Sequence, residues 1–175
     1  MKVIFLDVDG VLNCDTTDET INGWVFVDDY KIKLVRYIMD KTSAKVVLSS
    51  SWRSGYYGIE TGHTNEEEVW GITEYEGLVE RCGQLGVWFF GHTRWPESSN
   101  RGCEIKEWID AQNTAGNDAY KVSSFVILDD YDMNISTYFP DNFVKTDPSV
   151  GLTEEDARKA ISILGETHKR KYVYY

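Results

Sequence analysis

An apolar run near the amino terminus stops on two aspartates and a glycine, and it constrains the fold more than any other stretch. Residues 3–6 read VIFL and are followed by Asp7, Val8, Asp9 and Gly10. β-Branched and aromatic residues that lead into a turn residue are typical of a buried strand ending in a tight turn. Ligands of open α/β sheets bind outside the carboxyl ends of the strands. The stretch therefore predicts a strand that brings Asp7 to a binding or catalytic position.

The spacing of the two aspartates indicates a metal. Alternation along an extended chain turns Asp7 and Asp9 to the same side. Two neighbouring carboxylates repel and raise each other's pKa unless a cation lies between them. Mg²⁺ takes carboxylate oxygens and completes its octahedral shell with water and substrate phosphate. We therefore expect Mg²⁺ as the cofactor, although Asp and Gly are also common in solvated turns.

The composition is that of a globular protein. Of the 175 residues, 42% are hydrophobic and 14% are aromatic, which predicts one domain over residues 1–175 with a sizeable core. No apolar run approaches the roughly 20 residues that cross a bilayer, and the apolar stretch after Lys2 ends on Asp7, which argues against a signal peptide. The three cysteines form no CxxC pair, which argues against a disulfide framework and a zinc site. We expect a cytoplasmic protein.

The charge balance limits the partners. With 18 basic and 29 acidic residues the net charge is −11, which argues against broad electrostatic capture of nucleic acid. It leaves room for a local basic pocket around one phosphate. A phosphorylated small molecule or a nucleic-acid end is compatible with this charge balance, and no membrane or obligate protein partner is expected.

A second apolar strand ends in hydroxyl groups. Residues 44–48 (AKVVL) are followed by SSSWR, which begins at Ser49 and ends at Arg53. Hydroxyls at the carboxyl end of a strand can donate to a phosphoryl oxygen, although a serine run is also typical of a loop or a helix cap. Strand ends are uncertain by a few residues, so Ser49 and Ser50 are both candidates. Arg53 is a candidate for a bidentate phosphate contact or for a surface salt bridge.

A cation opens the helix that is predicted from residue 101. Positive charge at a helix start opposes the helix dipole by about 0.3–1 kcal/mol, so Arg101 needs a local reason. An incoming phosphate or the carboxylate of Asp7 would supply one. Lys106, on the same predicted helix, is the alternative.

A late strand repeats the opening pattern. Residues 124–128 (SFVIL) end on Asp129 and Asp130. Two acids at the end of a buried strand are unfavourable unless a cation is held there. Asp129 is therefore expected to bind the metal, and Asp130 either to bind it or to support its ligands.

Strands and helical segments alternate along the chain, which predicts a parallel sheet with helices on both faces. Helices are predicted after residue 28, in pieces over residues 66–83, from residue 101 and after Thr153, and the third sheet strand at residues 87–90. Residues 13–28 predict a flap or hairpin close to Asp7, and residues 54–65 predict a loop over the active edge. Aromatic residues near this edge offer stacking faces for a base: Trp24, Trp52, Tyr56 and Tyr57.

The strand-end patterns resemble the motifs of the haloacid dehalogenase-like (HAD) hydrolases. The DVDGVL stretch from Asp7 is similar to the first motif, the strand closed by serines to the second, and the strand ending in two aspartates to the fourth. The third motif is a Lys or Arg, which Arg101 or Lys106 matches. The patterns occur in the family's order across residues 7–130. The SSSWR segment also resembles HAD domains associated with RNA repair proteins.

The resemblance implies a role for each matched residue. Asp7 would be the nucleophile, Asp9 the general acid and base, and Arg101 the cation that stabilises the transferring phosphoryl group. The implied catalytic residues are Asp7, Asp9, Ser49 and Arg101, the implied substrate contacts are Gly10, Ser50, Arg53 and Lys106, and the implied magnesium ligands are Asp7, Asp9, Asp129 and Asp130.

The resemblance also implies a fold and a reaction. The fold would be a three-layer, Rossmann-like α/β domain with a small or absent cap, because no long insertion separates the motifs. The reaction would be Mg²⁺-dependent hydrolysis of a phosphomonoester through an aspartyl-phosphate, with a nucleotide or a polynucleotide terminal phosphate as the favoured substrate. Sugar phosphates and phosphoproteins are alternative substrates, and a catalytically silent HAD-like binding module is an alternative function.

Two other classes fit the sequence less well. A response-regulator receiver is disfavoured because no middle strand ends in an acceptor aspartate. A dinucleotide-binding domain is disfavoured because the chain lacks GxGxxG.

Overall fold

A five-stranded parallel sheet forms the centre of the computed structural model, which describes residues 1–21, 23–61, 66–94 and 100–165. The described residues form seven strands, of which β2 and β3 make a separate two-stranded sheet. They are β1 (Lys2–Leu6), β2 (Thr20–Ile21), β3 (Trp24–Val25), β4 (Lys45–Leu48), β5 (Phe89–His92), β6 (Ser124–Asp129) and β7 (Phe143–Lys145). The sheet has the order β5, β4, β1, β6, β7, and its pairings are parallel. Leu6 lies beside Leu48 on one side and Leu128 on the other, so β1 occupies the middle of the sheet.

Helices connect the strands, and sequence signals fix several of their ends. They are α1 (Asp29–Thr42), α2 (Ser54–Thr61), α3 (Glu66–Gln84), α4 (Arg101–Thr114), α5 (Ile135–Tyr138) and α6 (Glu154–Leu164), with short 3₁₀ turns at Ser51–Arg53 and Asp118–Tyr120. Asp28 caps α1 by accepting a bond of 2.7 Å from the backbone N–H of Tyr30. Thr153 and Asp156 form a capping box at the start of α6. None of the helices in the described ranges is long and apolar enough to cross a membrane.

The sheet buries both of its faces. Ile4 and Leu6 pack on one side with residues of α1, α3 and α6, and Val3 and Phe5 pack on the other with residues of α4 and α5. These four side chains are fully buried, and full burial of such a side chain contributes about 1.5–3 kcal/mol. This arrangement confirms the predicted three-layer α/β fold.

The predicted loop over residues 54–65 is wrong over most of its length. Residues 54–61 form α2, and residues 62–65 lie outside the described part of the chain. The glycine-rich segment is helical because it packs closely on α3. A Cβ at Gly55 would lie only 2.0 Å from the carbonyl oxygen of Gly71. Tertiary packing therefore overrides a weak local helix propensity.

Two further boundaries differ from the prediction. The helix predicted in pieces over residues 66–83 is the continuous α3, and the third strand begins at residue 89 instead of 87. Val87 is buried, whereas Trp88 is 65% exposed. The apolar run thus enters the core before the strand begins, and the sheet edge tolerates an exposed tryptophan.

The predicted hairpin lies within residues 13–28. Its strands β2 and β3 pair antiparallel, and residue 22 between them lies outside the described residues. Arg81 of α3 holds the region in place, with Nε 2.6 Å from Asp29 and Nη2 3.3 Å from Glu19. In the described chain between β1 and α1, these are the only strands, and the small or absent cap stays a prediction.

We expect Gly55→Ala to lower the free energy of unfolding by about 1–3 kcal/mol, the usual cost of overpacking. Alanine gains roughly 0.5–1 kcal/mol of helix propensity over glycine. The steric cost dominates because the atom in the way is a backbone oxygen at 2.0 Å, which cannot move aside without shifting α3. Urea unfolding followed by tryptophan fluorescence measures the change.

Gly91→Ala is the matched control. A Cβ at Gly91 meets no atom of the described residues within 4 Å, so the substitution should change the free energy of unfolding by less than about 0.5 kcal/mol. Equal effects of the two substitutions would show that α2 does not pack this closely on α3.

Candidate active site

The carboxyl ends of the central strands meet at one edge of the sheet. The N–H of Asp7 donates to the carbonyl of Leu128 at 3.0 Å, and the N–H of Ser49 donates to the carbonyl of Leu6 at 2.9 Å. These bonds extend the parallel ladders by one residue. Neighbouring strands lie about 4.7–4.9 Å apart, so residues from distant parts of the sequence come into contact here.

Three acids converge at this edge: Asp7, Asp129 and Asp130. One carboxylate oxygen from each lies within 4.8 Å of those of the other two. Gly10 makes room for the third acid. Its φ is +67°, and a Cβ on it would lie 2.5 Å from Oδ2 of Asp130. The ends of β1 and β6 therefore form one acidic cluster.

Arg101 is the cation of this cluster. Its Nη1 lies 3.0 Å from Oδ2 of Asp129 and 3.5 Å from Oδ1 of Asp7, and the side chain is buried. Gly102 lets the start of α4 approach the loop after β6, because a Cβ on it would lie 2.6 Å from the carbonyl oxygen of Asn134. The two carboxylates offset the unfavourable position of a cation at a helix start.

Burial raises the pKa values of the cluster. Desolvation raises the pKa of Asp129 to about 8, the charge of Asp7 adds to the shift, and Arg101 opposes it. Desolvation also raises the pKa of Asp7, against the lowering effects of Arg101 and of a hydrogen bond with the Ser50 hydroxyl. A further cation among these oxygens would favour their ionised forms.

Asp9 lies outside the three-acid cluster, and its predicted role as a metal ligand stays a prediction. Its Oδ2 accepts a hydrogen bond from Nε1 of Trp52 at 3.0 Å, and its Oδ1 accepts one from Nδ2 of Asn13 at 3.0 Å. The expected alternation fails because β1 ends at Leu6 and the chain then turns. Asp9 is exposed and therefore faces solvent beside the cluster.

The serines occupy different positions. The Ser50 hydroxyl hydrogen-bonds with Asp7 and accepts a bond of 3.3 Å from the backbone N–H of Trp52. The Ser49 hydroxyl is fully buried and has no hydrogen-bond partner among the described residues. Both serines therefore stay candidates for the phosphoryl contact.

Arg53 is an internal support, which corrects its predicted phosphate contact and the surface alternative. The side chain is 1% exposed. Its Nη1 donates to the carbonyl of Ser49 at 2.7 Å and to that of Ser50, and Nη2 lies 2.6 Å from Oε2 of Glu104. Glu104 also lies 3.7 Å from Nε of Arg101. The residue thus connects the end of β4 to α4.

Two other predicted substrate contacts are engaged elsewhere. Lys106 lies on the exposed face of α4, with Nζ 2.5 Å from Asp110, because five residues of helix turn a side chain about 140° away from Arg101. This position corrects the prediction of Lys106 as a substrate contact and as the alternative to Arg101. The backbone N–H of Gly10 donates to Oδ1 of Asn13 at 2.9 Å, so Gly10 contributes space for Asp130 and not a free donor.

The predicted stacking residues are mostly packed against other rings. Trp52 is buried, with its ring centroid 6.1 Å from that of Phe26. Tyr56 and Tyr57 pack on His92, with ring centroids 3.9 and 5.2 Å from it. The side chain of Trp24 lies outside the described part of the structure.

Comparison with known proteins identifies the family. A family model described as the HAD domain in Swiss Army Knife RNA repair proteins matches residues 3–157. The chain belongs to this family. This confirms the family prediction made from the sequence, and the match supports a HAD-type hydrolase in general terms. Searches of curated proteins and of solved structures found no match.

The structure of this HAD domain adds residues that the sequence reasoning missed. Asn13 is one of them, and its position in a predicted turn, four residues after Asp9, could have predicted a contact between the two side chains. Glu104 is another, and its spacing of three from Arg101 on a helix predicts that these two side chains lie close together.

Tyr131 is a third. It directly follows the acids of the fourth motif and is 67% exposed. Its N–H donates to Oδ1 of Asp129 at 3.0 Å, so its backbone is fixed beside the cluster.

Without divalent cations, we expect the domain to lose stability as the pH rises from about 5 to about 8. Folding raises the pKa of Asp129 from 3.8 to about 8. The resulting stability is fully present below the unfolded pKa and is lost as the pH rises through the folded pKa. Urea unfolding in EDTA should show a loss of more than about 1 kcal/mol over this interval. Asp129→Asn should reduce this loss without abolishing it, because burial also raises the pKa values of Asp7 and Asp130.

Asp118→Asn is the control for this measurement. The side chain of Asp118 is 88% exposed, so its substitution should leave the pH dependence unchanged. If Asp129→Asn shows the same pH dependence as the wild type, the raised pKa of Asp129 is excluded.

Proposed function

We propose that this HAD domain hydrolyses phosphomonoesters with Asp7 as the nucleophile. The observation that carries the proposal is the meeting of Asp7 with Asp129, Asp130 and Arg101 at the carboxyl edge of the sheet. Phosphoryl transfer needs a nucleophile and positive charge around the phosphoryl oxygens. Asp7 supplies the first, and Arg101 together with a metal supplies the second.

The donor set fits Mg²⁺. Carboxylate oxygen is the donor that this ion prefers, and the three acids offer oxygens within 4.8 Å of one another. Asp7, Asp129 and Asp130 would hold the ion, and its other positions would be left to water and to a substrate phosphate. Three carboxylates also outweigh the single charge of Arg101. When bound, Mg²⁺ would neutralise phosphoryl oxygens and orient the substrate.

The side chains of the domain account for both chemical steps. In the first step, a carboxylate oxygen of Asp7 attacks phosphorus, the bond to the leaving oxygen breaks, and protonated Asp9 gives that oxygen its proton. In the second step, Asp9 takes a proton from water, the water oxygen attacks the aspartyl-phosphate, and the bond from phosphorus to Asp7 breaks. Arg101, 3.5 Å from Oδ1 of Asp7, stabilises the transferring group in both steps.

The serines at the end of β4 are proposed to hold the phosphoryl group. Ser50 already contacts Asp7. The Ser49 hydroxyl lacks a hydrogen-bond partner among the described residues. Burial of such a hydroxyl costs about 1–3 kcal/mol of stability. A bond from Ser49 to a phosphoryl oxygen would offset this cost on substrate binding.

A nucleotide or a polynucleotide terminal phosphate is the proposed substrate class. The family description places related HAD domains in RNA repair proteins. The backbone N–H of Tyr131 bonds to Asp129 of the cluster and its side chain is exposed, and base stacking on such a ring contributes about 1–3 kcal/mol. The net charge of −11 disfavours contact with a long polyanion, so the proposal concerns the terminal nucleotide.

We expect the purified domain to release phosphate in the presence of Mg²⁺ and to lose activity by at least about 1,000-fold with Asp7→Asn, since the amide is not a nucleophile. The assay covers p-nitrophenyl phosphate, glycerol phosphate, nucleotides and oligonucleotides phosphorylated at the 3′ or 5′ end, with Mg²⁺ and with EDTA. Asp118→Asn makes the same chemical change on the surface and should keep full activity.

The outcome distinguishes the two functions that the sequence left open. Phosphate release that is equal in wild type and Asp7→Asn on every substrate would exclude the enzyme. If the wild type also bound Mg²⁺ in calorimetry, the domain would instead be a catalytically silent binding module.

Tyr131→Ala should lower kcat/KM for a nucleoside monophosphate by about 5- to 100-fold, because it removes a stacking face. Glycerol phosphate has no base, so its kcat/KM should stay within about 2-fold. Tyr120→Ala is the control, since Tyr120 is also exposed but precedes β6 at the opposite end of the sheet. Equal losses on both substrates would exclude base recognition by Tyr131.

A further inference from the structure

Asp9 is held from both sides by directed hydrogen bonds. The indole N–H of Trp52 reaches Oδ2 and the amide of Asn13 reaches Oδ1, each at 3.0 Å. Asp9 itself is exposed, so packing does not fix its carboxylate. An exposed aspartate in a turn normally samples several rotamers. Here the two donors select one.

The donors are themselves fixed by the fold. The Trp52 ring is buried against Phe26, and the backbone of Trp52 is capped by the Ser50 hydroxyl at 3.3 Å. The following residue, Arg53, is bonded to the carbonyls of the same short turn. The position of the Trp52 indole N–H is therefore fixed by the packing of its ring and by the hydrogen bonds of its backbone segment.

Asn13 is fixed in a similar way from the opposite side. Its Oδ1 accepts the backbone N–H of Gly10 at 2.9 Å, while its Nδ2 donates to Asp9. The turn that follows β1 is thus closed by one amide side chain, and that side chain orients the acid. The two donors come from segments about 40 residues apart that only the folded sheet brings together.

The hydrogen bonds leave the chemistry of the carboxyl group open. An ionised carboxylate offers about four lone-pair positions, and each oxygen uses one for a protein donor. One position on each oxygen stays available for a proton. The two hydrogen bonds therefore fix the orientation of the Asp9 carboxylate and leave a position on each oxygen free to bind a proton.

We propose that Trp52 is a positioning residue that aims Asp9 at the leaving-group oxygen, with Asn13 as its counterpart on the other carboxylate oxygen. The inference rests on the proposed phosphomonoesterase function. Trp52 does not touch the substrate in this arrangement and acts through Asp9 alone. A tryptophan that serves only for packing would also need an acceptor for its N–H, so the hydrogen bond to Asp9 does not by itself distinguish packing from positioning. Substrates with different leaving groups distinguish the two roles.

The test compares esters that differ in their need for a proton. Glycerol phosphate releases an alkoxide that must be protonated, whereas p-nitrophenyl phosphate releases a stable phenolate. kcat/KM reports only the steps up to release of the alcohol, and so it isolates the acid role of Asp9 from its later role as base. We expect Trp52→Phe, which keeps a six-membered aromatic ring and removes the pyrrole ring with its N–H, to lower kcat/KM for glycerol phosphate by about 10- to 100-fold. The loss for p-nitrophenyl phosphate should stay below about 3-fold.

Two further variants secure the interpretation. Trp108→Phe makes the same change on the other face of the sheet, where Trp108 packs on Phe5, and should leave both substrates unaffected. Asn13→Asp keeps an oxygen that can accept from Gly10 and removes the amide donor, so it should repeat the selective loss on glycerol phosphate. It provides the test if Trp52→Phe does not fold.

The results of the inference and of the proposed function are separable. A wild type without activity on either ester removes the proposed function. An active wild type whose Trp52→Phe and Asn13→Asp variants lose equal activity on the two esters, or lose none, overturns the positioning role.

Discussion

The active edge depends on the way in which three carboxylates, two buried and one half-buried, are kept together. Parallel strands bring Asp7, Asp129 and Asp130 to one point, and desolvation raises the pKa of each of them. Arg101 is the buried cation that contacts two of the three. Its single charge does not balance them, and this imbalance makes the edge a place for a divalent cation and for a phosphoryl group carried with it.

The short segment 50–53 after β4 holds this arrangement in place. It contacts Asp7 through a serine hydroxyl and Asp9 through an indole N–H. It also reaches the acid Glu104, whose carboxylate lies near Arg101. One segment thereby connects the proposed nucleophile, the proposed acid and base, and the cation. Buried ion pairs of this kind are costly to form, and their place behind the site is consistent with a positioning role.

Much of the fold and part of the site were predictable from local patterns. The strands that lead to Asp7 and Asp129, the cap at Asp28 and the capping box at Thr153 each follow from residues adjacent in sequence. The helix over residues 54–61 was not predictable, because it forms through a close glycine contact with a segment beyond the local window. Arg53 was misplaced for the same reason, since its carboxylate partner lies in a distant helix.

The sequence by itself determined the family, the three-layer α/β fold and the residue types delivered to the carboxyl edge, because buried strands and their terminal residues are encoded by short contiguous patterns. Only the tertiary structure decided which of those residues meet. Asp9 lies outside the acidic cluster, between the donors Trp52 and Asn13. Arg53 lies behind the cluster, and Lys106 lies on the surface. The physical reason is that side-chain direction at a strand end is set by the turn that follows and by the elements packed against it, and neither is local in sequence.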